Sequence, residues 1–392
     1  MLGTLGLIFL GGLFFGEISK KLKLPSLIGM IILGIIIGPQ YLGIIDNSIL
    51  SISGELRKIA LIIILLNAGL NLEINELKKN GKSTILLSFI PATMEIICFS
   101  VIGPKIFNIS TMEAAVIGSI IGAVSPAVVV PRMIKLITEK YGTKRGVPQM
   151  IVGASSIDDI FVIIMFTSLI NLHSSSENIT NGLLYLPITI ILGIVIGIII
   201  GYILAKFYEK KEIRASFKTM IVLAVSLLLV AGENYFKYSS LLSVMLIGMA
   251  IYKKNKIATK ELAQKFSKIW LGAEIMLFVL VGIEINVNFA LKFGLPSIIL
   301  IVLSLIFREF GVYIALLKSN LNKKEKLFTM ISYSPKATVQ AAIGGIPLMM
   351  GLSYGDLALT MAVLSILITA PLGVFFIDFS YKKLLEKNNG ID

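Results

Sequence analysis

Charge is scarce in this chain of 392 residues: Asp, Glu, Lys and Arg make up 15% of it, against about 25% in a soluble globular protein. That deficit, with 56% hydrophobic residues and a mean hydropathy of +0.90, excludes a soluble enzyme and a disordered chain. The single cysteine, Cys98, excludes a disulfide scaffold and forms no intrachain bridge. The single histidine, His173, excludes a multi-histidine metal site. What remains is a polytopic membrane protein. At about 20 residues per spanning helix, the length allows roughly a dozen crossings and leaves little for a soluble domain. The net charge of +13 sits in short loops between apolar runs, so it does not point to nucleic acid. No cofactor is expected. The apolar run opens at Leu2 without a charged leader or a small-residue cleavage site, and reads as a first membrane helix rather than a removed signal peptide.

Thirteen hydrophobic runs follow one another, at 2–18, 25–45, 56–72, 83–103, 112–133, 147–170, 183–206, 217–235, 239–252, 269–285, 295–317, 327–350 and 356–380. Each predicts a membrane span. Of the 36 Lys and Arg, 29 fall in the odd-numbered loops and the C-terminal tail. Five fall on the opposite side (Arg57, Lys58, Lys105, Lys237 and Lys292), and two, Arg308 and Lys336, lie inside spans. Short cytoplasmic loops collect Lys and Arg. The expected topology therefore has the N-terminus outside and the C-terminus in the cytoplasm.

Two spans are interrupted at matching places. Span five reads Gly122-Ala123-Val124-Ser125-Pro126-Ala127-Val128-Val129-Val130-Pro131. Span twelve reads Ser332-Tyr333-Ser334-Pro335-Lys336-Ala337-Thr338-Val339-Gln340, then Gly344-Gly345 and Pro347. Proline removes a backbone donor and clashes with the carbonyl four residues back, so both spans are expected to be broken helices. Span five is the fifth of spans one to six, and span twelve the fifth of spans eight to thirteen. An offset of seven crossings is odd, so the halves are opposite in orientation. The expectation is an inverted-topology repeat: residues 1–170 as one half, 217–380 as the other, and 183–206 as a linker helix. Interrupted spans at corresponding positions are the best sequence pointer to a transporter's binding site.

Ionisable groups near the bilayer centre are costly and functional by default. Five stand out: Glu95, the adjacent pair Asp158 and Asp159, Arg308 and Lys336. Adjacent helical residues point about 100° apart, so one aspartate can face an ion cavity while its neighbour faces a partner. Arg308 is the natural partner, since a guanidinium forks onto carboxylates; Glu95 is a second candidate for it. A carboxylate left free can hold a proton or a small cation, but not both, and that competition suffices for proton/cation exchange. Lys336 is expected to offset the carbonyl ends left unpaired by its broken helix. In span five no such charge exists, and Ser125 takes that place with water. Glu17, Glu274 and Glu284 read as interfacial, while Glu309, beside Arg308, is left without assignment.

These residues resemble a known family. Gly153-Ala154-Ser155-Ser156-Ile157-Asp158-Asp159 is similar to the Asp-Asp motif of bacterial Na+/H+ antiporters of the NhaA and NapA type. The stretch Gly122–Pro131 resembles the NHA subgroup of the cation/proton antiporter superfamily, as do Pro335–Ala342, Ala68–Leu72 and Val281–Glu284. Leu24–Ser26 through Gly38-Pro39 resembles the superfamily's early Gly-rich helix. The resemblance covers nearly the whole chain. It implies an all-α membrane protein of NhaA/NapA-like fold with 13 transmembrane helices and two crossing broken helices. It implies a homodimer whose mobile core, spans four to six and eleven to thirteen, moves like an elevator. It implies Na+ or Li+ exchanged for H+ with Asp159 as carrier, and Asp158 paired with the basic residue of span eleven. NapA-type members carry Lys there, and here it is Arg308; an arginine does not release its proton in the working range, so one proton per cation is expected. Glu95 matches the acidic residue the subgroup places near that arginine. Ser125 and Ser155 join the two aspartates as candidate ion ligands, and Pro126, Ser334, Pro335 and Lys336 as the broken-helix crossing. The implied setting is the cell (inner) membrane.

Other readings weaken on inspection. Gly81-Lys82-Ser83-Thr84 lacks the glycine of a phosphate loop, because Glu76 stands there. An intramembrane aspartyl protease needs aspartates on different helices, and these are adjacent. A cation channel is the alternative of another class, but no Thr-Val-Gly-Tyr-Gly filter occurs. K+/H+ exchange remains open beside Na+/H+ exchange. Gly193, Gly197 and Gly201 form a ridge suited to helix packing, with a dimer contact as the other use. Asn178-Ile179-Thr180 is a glycosylation triplet of the kind that arises by chance.

Overall fold

The computed structural model describes residues 1–71, 81–174, 179–210, 214–233, 235–236 and 238–388, with backbone alone at 174, over 179–187 and at 210. Leu72, Glu76, Asn178 and Lys237 from the readings above lie outside the described residues. Among the described residues the chain is helical throughout, apart from one isolated bridge, Tyr141 to Lys387. Every apolar run coincides with a helix or with consecutive helical pieces. Nine helices among the described residues are long and apolar enough to cross a membrane.

The helices are α1 (Leu2–Lys21), α2 (Ser26–Ile37), α3 (Asn47–Asn71), α4 (Gly81–Leu87), α5 (Ile90–Phe107), α6 (Thr111–Ile121), α7 (Pro126–Thr138), α8 (Val147–Ser174), α9 (Ile179–Lys210), α10 (Ala215–Gly232), α11 (Ser240–Lys254), α12 (Lys256–Glu284), α13 (Val287–Ala315), α14 (Lys323–Ser332), α15 (Thr338–Ile343), α16 (Ile346–Met349) and α17 (Gly355–Leu384).

Three boundaries depart from the apolar runs. The run 25–45 is helical only to Ile37, because the residue before Pro39 is steered away from the α region, and Gly38 is extended there. The run 83–103 is two pieces, with Pro91 in the first turn of α5. There the Ser88 hydroxyl donates to the carbonyls of Thr84 and Ala154. The lysine-rich stretch before run ten is not a loop. Asn255 caps it, its Oδ1 accepting from the Ala258 N–H at 2.9 Å, and the helix runs on for 29 residues to Glu284. At about 1.5 Å per residue that is about 43 Å, so its basic first turns reach past a hydrocarbon core of about 30 Å.

Packing sorts the helices into two groups. In one, α12 lies on α2 and α3, α11 on α3 and α9, and α1 on α2. Glycine permits the closest of these approaches: a Cβ at Gly34 would stand 2.1 Å from the Val279 carbonyl oxygen, and one at Gly282 would stand 2.3 Å from that of Ile31. The Gly193, Gly197 and Gly201 ridge packs on α11 within the same chain. In the other group, α5 lies on α6 and α13, α8 on α6 and α7, and α17 on α13 and α14.

Both interrupted spans are broken helices. The first unwinds over 122–125 between α6 and α7, and the second over 333–337 between α14 and α15. Each first half starts from a capping box, Ser110 with Glu113 and Asn322 with Glu325. The two interruptions touch: the Ser125 N–H donates to the Pro335 carbonyl at 2.8 Å.

One charge sits differently from its sequence reading. The run beginning near 56 puts Arg57 at the flank of a span, and Glu284 reads as interfacial. Instead α3 begins at Asn47. Arg57 is thus nearly three turns inside it, 2% exposed, and forms a salt bridge with Glu284 at 2.5 Å. Ser53 donates to the other oxygen of Glu284 at 2.6 Å.

Candidate ion-binding site

The second group of helices carries its charges where the two broken helices meet. Asp158 and Asp159 lie near the middle of α8. Asp158 is fully buried; its Oδ2 accepts from the Val124 N–H at 2.6 Å and from Arg308 Nη2 at 3.3 Å. The first of these bonds satisfies a donor that the unwound segment leaves without a helical acceptor. Asp159 points elsewhere, as the 100° helical step requires. It lines a cavity of about 20 Å³ walled by Leu61, Leu65 and Ala68 of α3, Met245 of α11, and Thr338 and Val339 of α15. That is room for about one water-sized guest. Its Oδ1 is buried and has no hydrogen-bond partner. The two groups of helices therefore meet at this carboxylate.

Arg308, on α13 and wholly buried, is the hub. Its Nε donates to the Tyr333 carbonyl at 2.7 Å. Its Nη1 reaches Glu95 at 2.9 Å and also the Gly122 carbonyl. The ring of Tyr333 lies 5.4 Å from the guanidinium carbon. Both expected partners of Arg308 are thus present together. Glu95, on α5, is fully buried and accepts from Arg308, from Lys336 Nζ at 2.6 Å and from Ser304 at 3.2 Å. Two cations and two carboxylates form a closed, charge-balanced quartet.

The expected role of Lys336 needs correction. Its ammonium bonds Glu95, and the carbonyls at the breaks are held by other donors. Arg308 takes those of Gly122 and Tyr333. The Gln340 amide takes those of Ile121 at 3.1 Å and Ala123 at 2.8 Å, while its own oxygen accepts from the Ala337 N–H. A carboxylate so near draws the ammonium more strongly than neutral carbonyl dipoles do. Gln340 escaped the sequence reading because nothing in the order of residues tells that its two carbonyls, 219 and 217 positions away, come within reach.

The remaining candidates are placed as follows. Ser125 Oγ is buried without a partner, at the start of α7. The Ser155 hydroxyl donates to the Val152 carbonyl of its own helix at 3.0 Å. Pro126 opens α7 at a position where its missing donor costs nothing. Ser334 donates to the Ile331 carbonyl at 2.9 Å. Pro335 packs on the bare Cα of Gly373, where a Cβ would meet its ring at 2.3 Å. The backbone N–H of Lys336 donates to Thr369 at 2.8 Å.

A helical membrane protein with paired broken helices, a balanced buried ion cluster and one free carboxylate in a small cavity is built as a carrier of small ions. The chain belongs to the sodium/hydrogen exchanger transmembrane family, whose model matches residues 5–380. It is therefore a multi-pass membrane protein of the cation/proton antiporter superfamily, a transporter. It is 32% identical to sodium/hydrogen exchanger 9B2 of Xenopus tropicalis, over 99% of this chain and 75% of that protein. It is 30% identical to the Homo sapiens protein of that name, over 96% and 73%. The solved sodium proton antiporter MjNhaP1 of Methanocaldococcus jannaschii has a similar fold, with a TM-score of 0.82 at 24% identity over 98% of each chain.

Proposed function

We propose that the chain exchanges Na+ or Li+ for H+ across the cell (inner) membrane, one cation against one proton, with Asp159 as the shared site. One observation carries this reading: of two adjacent buried aspartates, Asp158 is tied to Arg308 and Val124, while Asp159 keeps an unpartnered oxygen in a cavity between the two helix groups. A carboxylate there is neutralised by a proton or by a cation, and occupancy by one excludes the other. Asp158, Ser125 and Ser155 supply further oxygens for a hard monovalent ion. Arg308, an arginine that keeps its proton, pairs with Asp158 and Glu95 and leaves Asp159 as the exchanging group, so the exchange is electroneutral.

The proposal includes 13 crossings with the N-terminus outside and the C-terminus cytoplasmic, in support of which stands the 29-to-5 asymmetry of Lys and Arg. Residues 1–170 and 217–380 are inverted repeats joined by a linker helix at 183–206, and the chain works as one antiporter unit, residues 1–392. The core of spans four to six and eleven to thirteen moves as a body in a homodimer, presenting Asp159 to each side in turn. Such exchange serves pH homeostasis and salt tolerance. The test is transport by the purified chain in proteoliposomes, with a pH dye inside and Na+, Li+ or K+ added outside. Cation-triggered proton movement that Asp159→Asn abolishes supports exchange. A response to K+ alone makes it a K+/H+ antiporter. A cation conductance without proton movement makes it a channel.

A further inference from the structure

The quartet of Asp158, Glu95, Arg308 and Lys336 is balanced, and Asp159 is the carrier, yet a sixth ionisable side chain lies in the same region. Glu309 follows Arg308 in α13. Both of its carboxyl oxygens are sealed from solvent, and neither has a hydrogen-bond partner. Arg308 is its neighbour in sequence, and Arg308, Glu95 and Lys336 are bonded to one another in the quartet. Helices α4, α5, α14 and α17 pack on α13. α5 brings Glu95 to this level and holds Lys105 at its far end. α17 carries Asp356 in its first turn and Asp378 near its end, with no ionisable group between. α14 carries Lys323, Lys324, Glu325 and Lys326 at its start, with Tyr333 and Lys336 in the break that follows, and α4 carries Lys82.

We propose that Glu309 is a second proton-binding carboxyl of the transport core, distinct from the Asp159 site. A carboxylate shut away from water without a donor is costly, and a proton on either oxygen removes that charge. When the proton leaves, the new carboxylate competes with Glu95 for Lys336 and Arg308. Lys336 bonds Glu95 through one of its three ammonium hydrogens, so it has donors to give. Glu95 ties α5 to the second break through Lys336 and, by way of Arg308, to the first, and loosening it alters how freely the core moves. Glu309 thereby sets the pH range of exchange, while Asp159 carries the ion. The inference rests on the exchange reading for its functional consequence, but not for the proton itself.

The experiment measures Na+/H+ exchange against pH in proteoliposomes for wild type, Glu309→Gln and Glu309→Asp. It adds infrared spectra of protein labelled with 13C-glutamate. The expected result is that Glu309→Gln still exchanges, with its pH–rate curve displaced by about half a unit or more, while Glu309→Asp stays near wild type. A protonated glutamate band is expected in wild type and weakened in Glu309→Gln. Superimposable curves, or a band undiminished in Glu309→Gln, overturn the proposal. If Glu309→Gln does not fold, the labelled wild type decides, since a spectrum without a protonated glutamate band also overturns it. If the wild type moves no alkali cation, the exchange reading fails, and the infrared result still stands or falls on its own.

Discussion

Replacing Arg308 by lysine separates what the guanidinium does as a charge from what it does as a fork. The charge survives, so neither Glu95 nor Asp158 is left facing an empty place. The fork does not survive. Arg308 reaches Tyr333 O at 2.7 Å, Gly122 O, Glu95 at 2.9 Å and Asp158 at 3.3 Å from three nitrogens spread over a plane. An ammonium offers three hydrogens from one atom. It can serve the carboxylates, and then the Tyr333 and Gly122 carbonyls lose their donor. Each buried carbonyl so orphaned costs about 1–3 kcal/mol, which places Arg308→Lys about 2–5 kcal/mol below wild type. Arg308→Gln also removes the charge and adds the about 3–5 kcal/mol of a broken buried pair. Thermal unfolding of the purified proteins, followed by the loss of monodisperse material on gel filtration, ranks the three. Transport forms the second arm. Lysine, unlike arginine, can give up its proton, so Arg308→Lys is expected to fold and to respond to an imposed membrane potential, whereas wild type does not. An Arg308→Lys protein as stable as wild type refutes the argument that the fork holds the two breaks. An aggregated product, or exchange blind to the potential, refutes the argument about coupling.

Other outcomes follow from the same geometry. Asp159→Asn is expected to fold normally, since its Oδ1 has no partner to lose, and to abolish 22Na+ uptake. Asp158→Asn keeps an acceptor for the Val124 N–H but loses its charge beside Arg308, so its melting temperature falls further than that of Asp159→Asn. Gln340→Ala strips the donors from the Ile121 and Ala123 carbonyls; at about 1–3 kcal/mol each, it is expected to destabilise by about 2–5 kcal/mol in the same unfolding assay. Gly345→Ala puts a Cβ 2.0 Å from Arg57 Nη1 and drives the guanidinium from Glu284. A melting temperature equal to that of wild type would show that Arg57 yields without cost.

The membrane architecture was legible in the residue order because a spanning helix must be apolar over its length, and prolines mark where the ladder fails. Span five broke at Ser125-Pro126 and span twelve at Pro335, as read. Asp158 and Arg308, 150 positions apart, can be matched from the sequence because opposite charges inside a bilayer have few places to go, and Arg308 Nη2 donates to Asp158 at 3.3 Å. What was hidden depended on contacts without a local mark. Arg57 passes for a flank until Glu284 is seen beside it, 227 positions along. The helical start of α12 looks like a loop because its lysines extend beyond the apolar part. Gln340 is an ordinary amide until two distant carbonyls arrive. Lys336, read against its own helix alone, points to that helix's carbonyls, but Glu95 on α5 binds its ammonium instead.

The bond from Ser125 N–H to Pro335 O joins main chain to main chain, so no side-chain substitution at either residue other than proline removes the donor or the acceptor. Gln340, through Ile121 and Ala123, adds further stitches across the same gap, and Asp158, through Val124, ties the first interruption to α8. Whatever displaces one interruption therefore drags the other with it. In the proposed exchange a moving core carries both interruptions as one piece, and the surface it passes is the apolar wall that Leu61, Leu65 and Met245 present to Asp159.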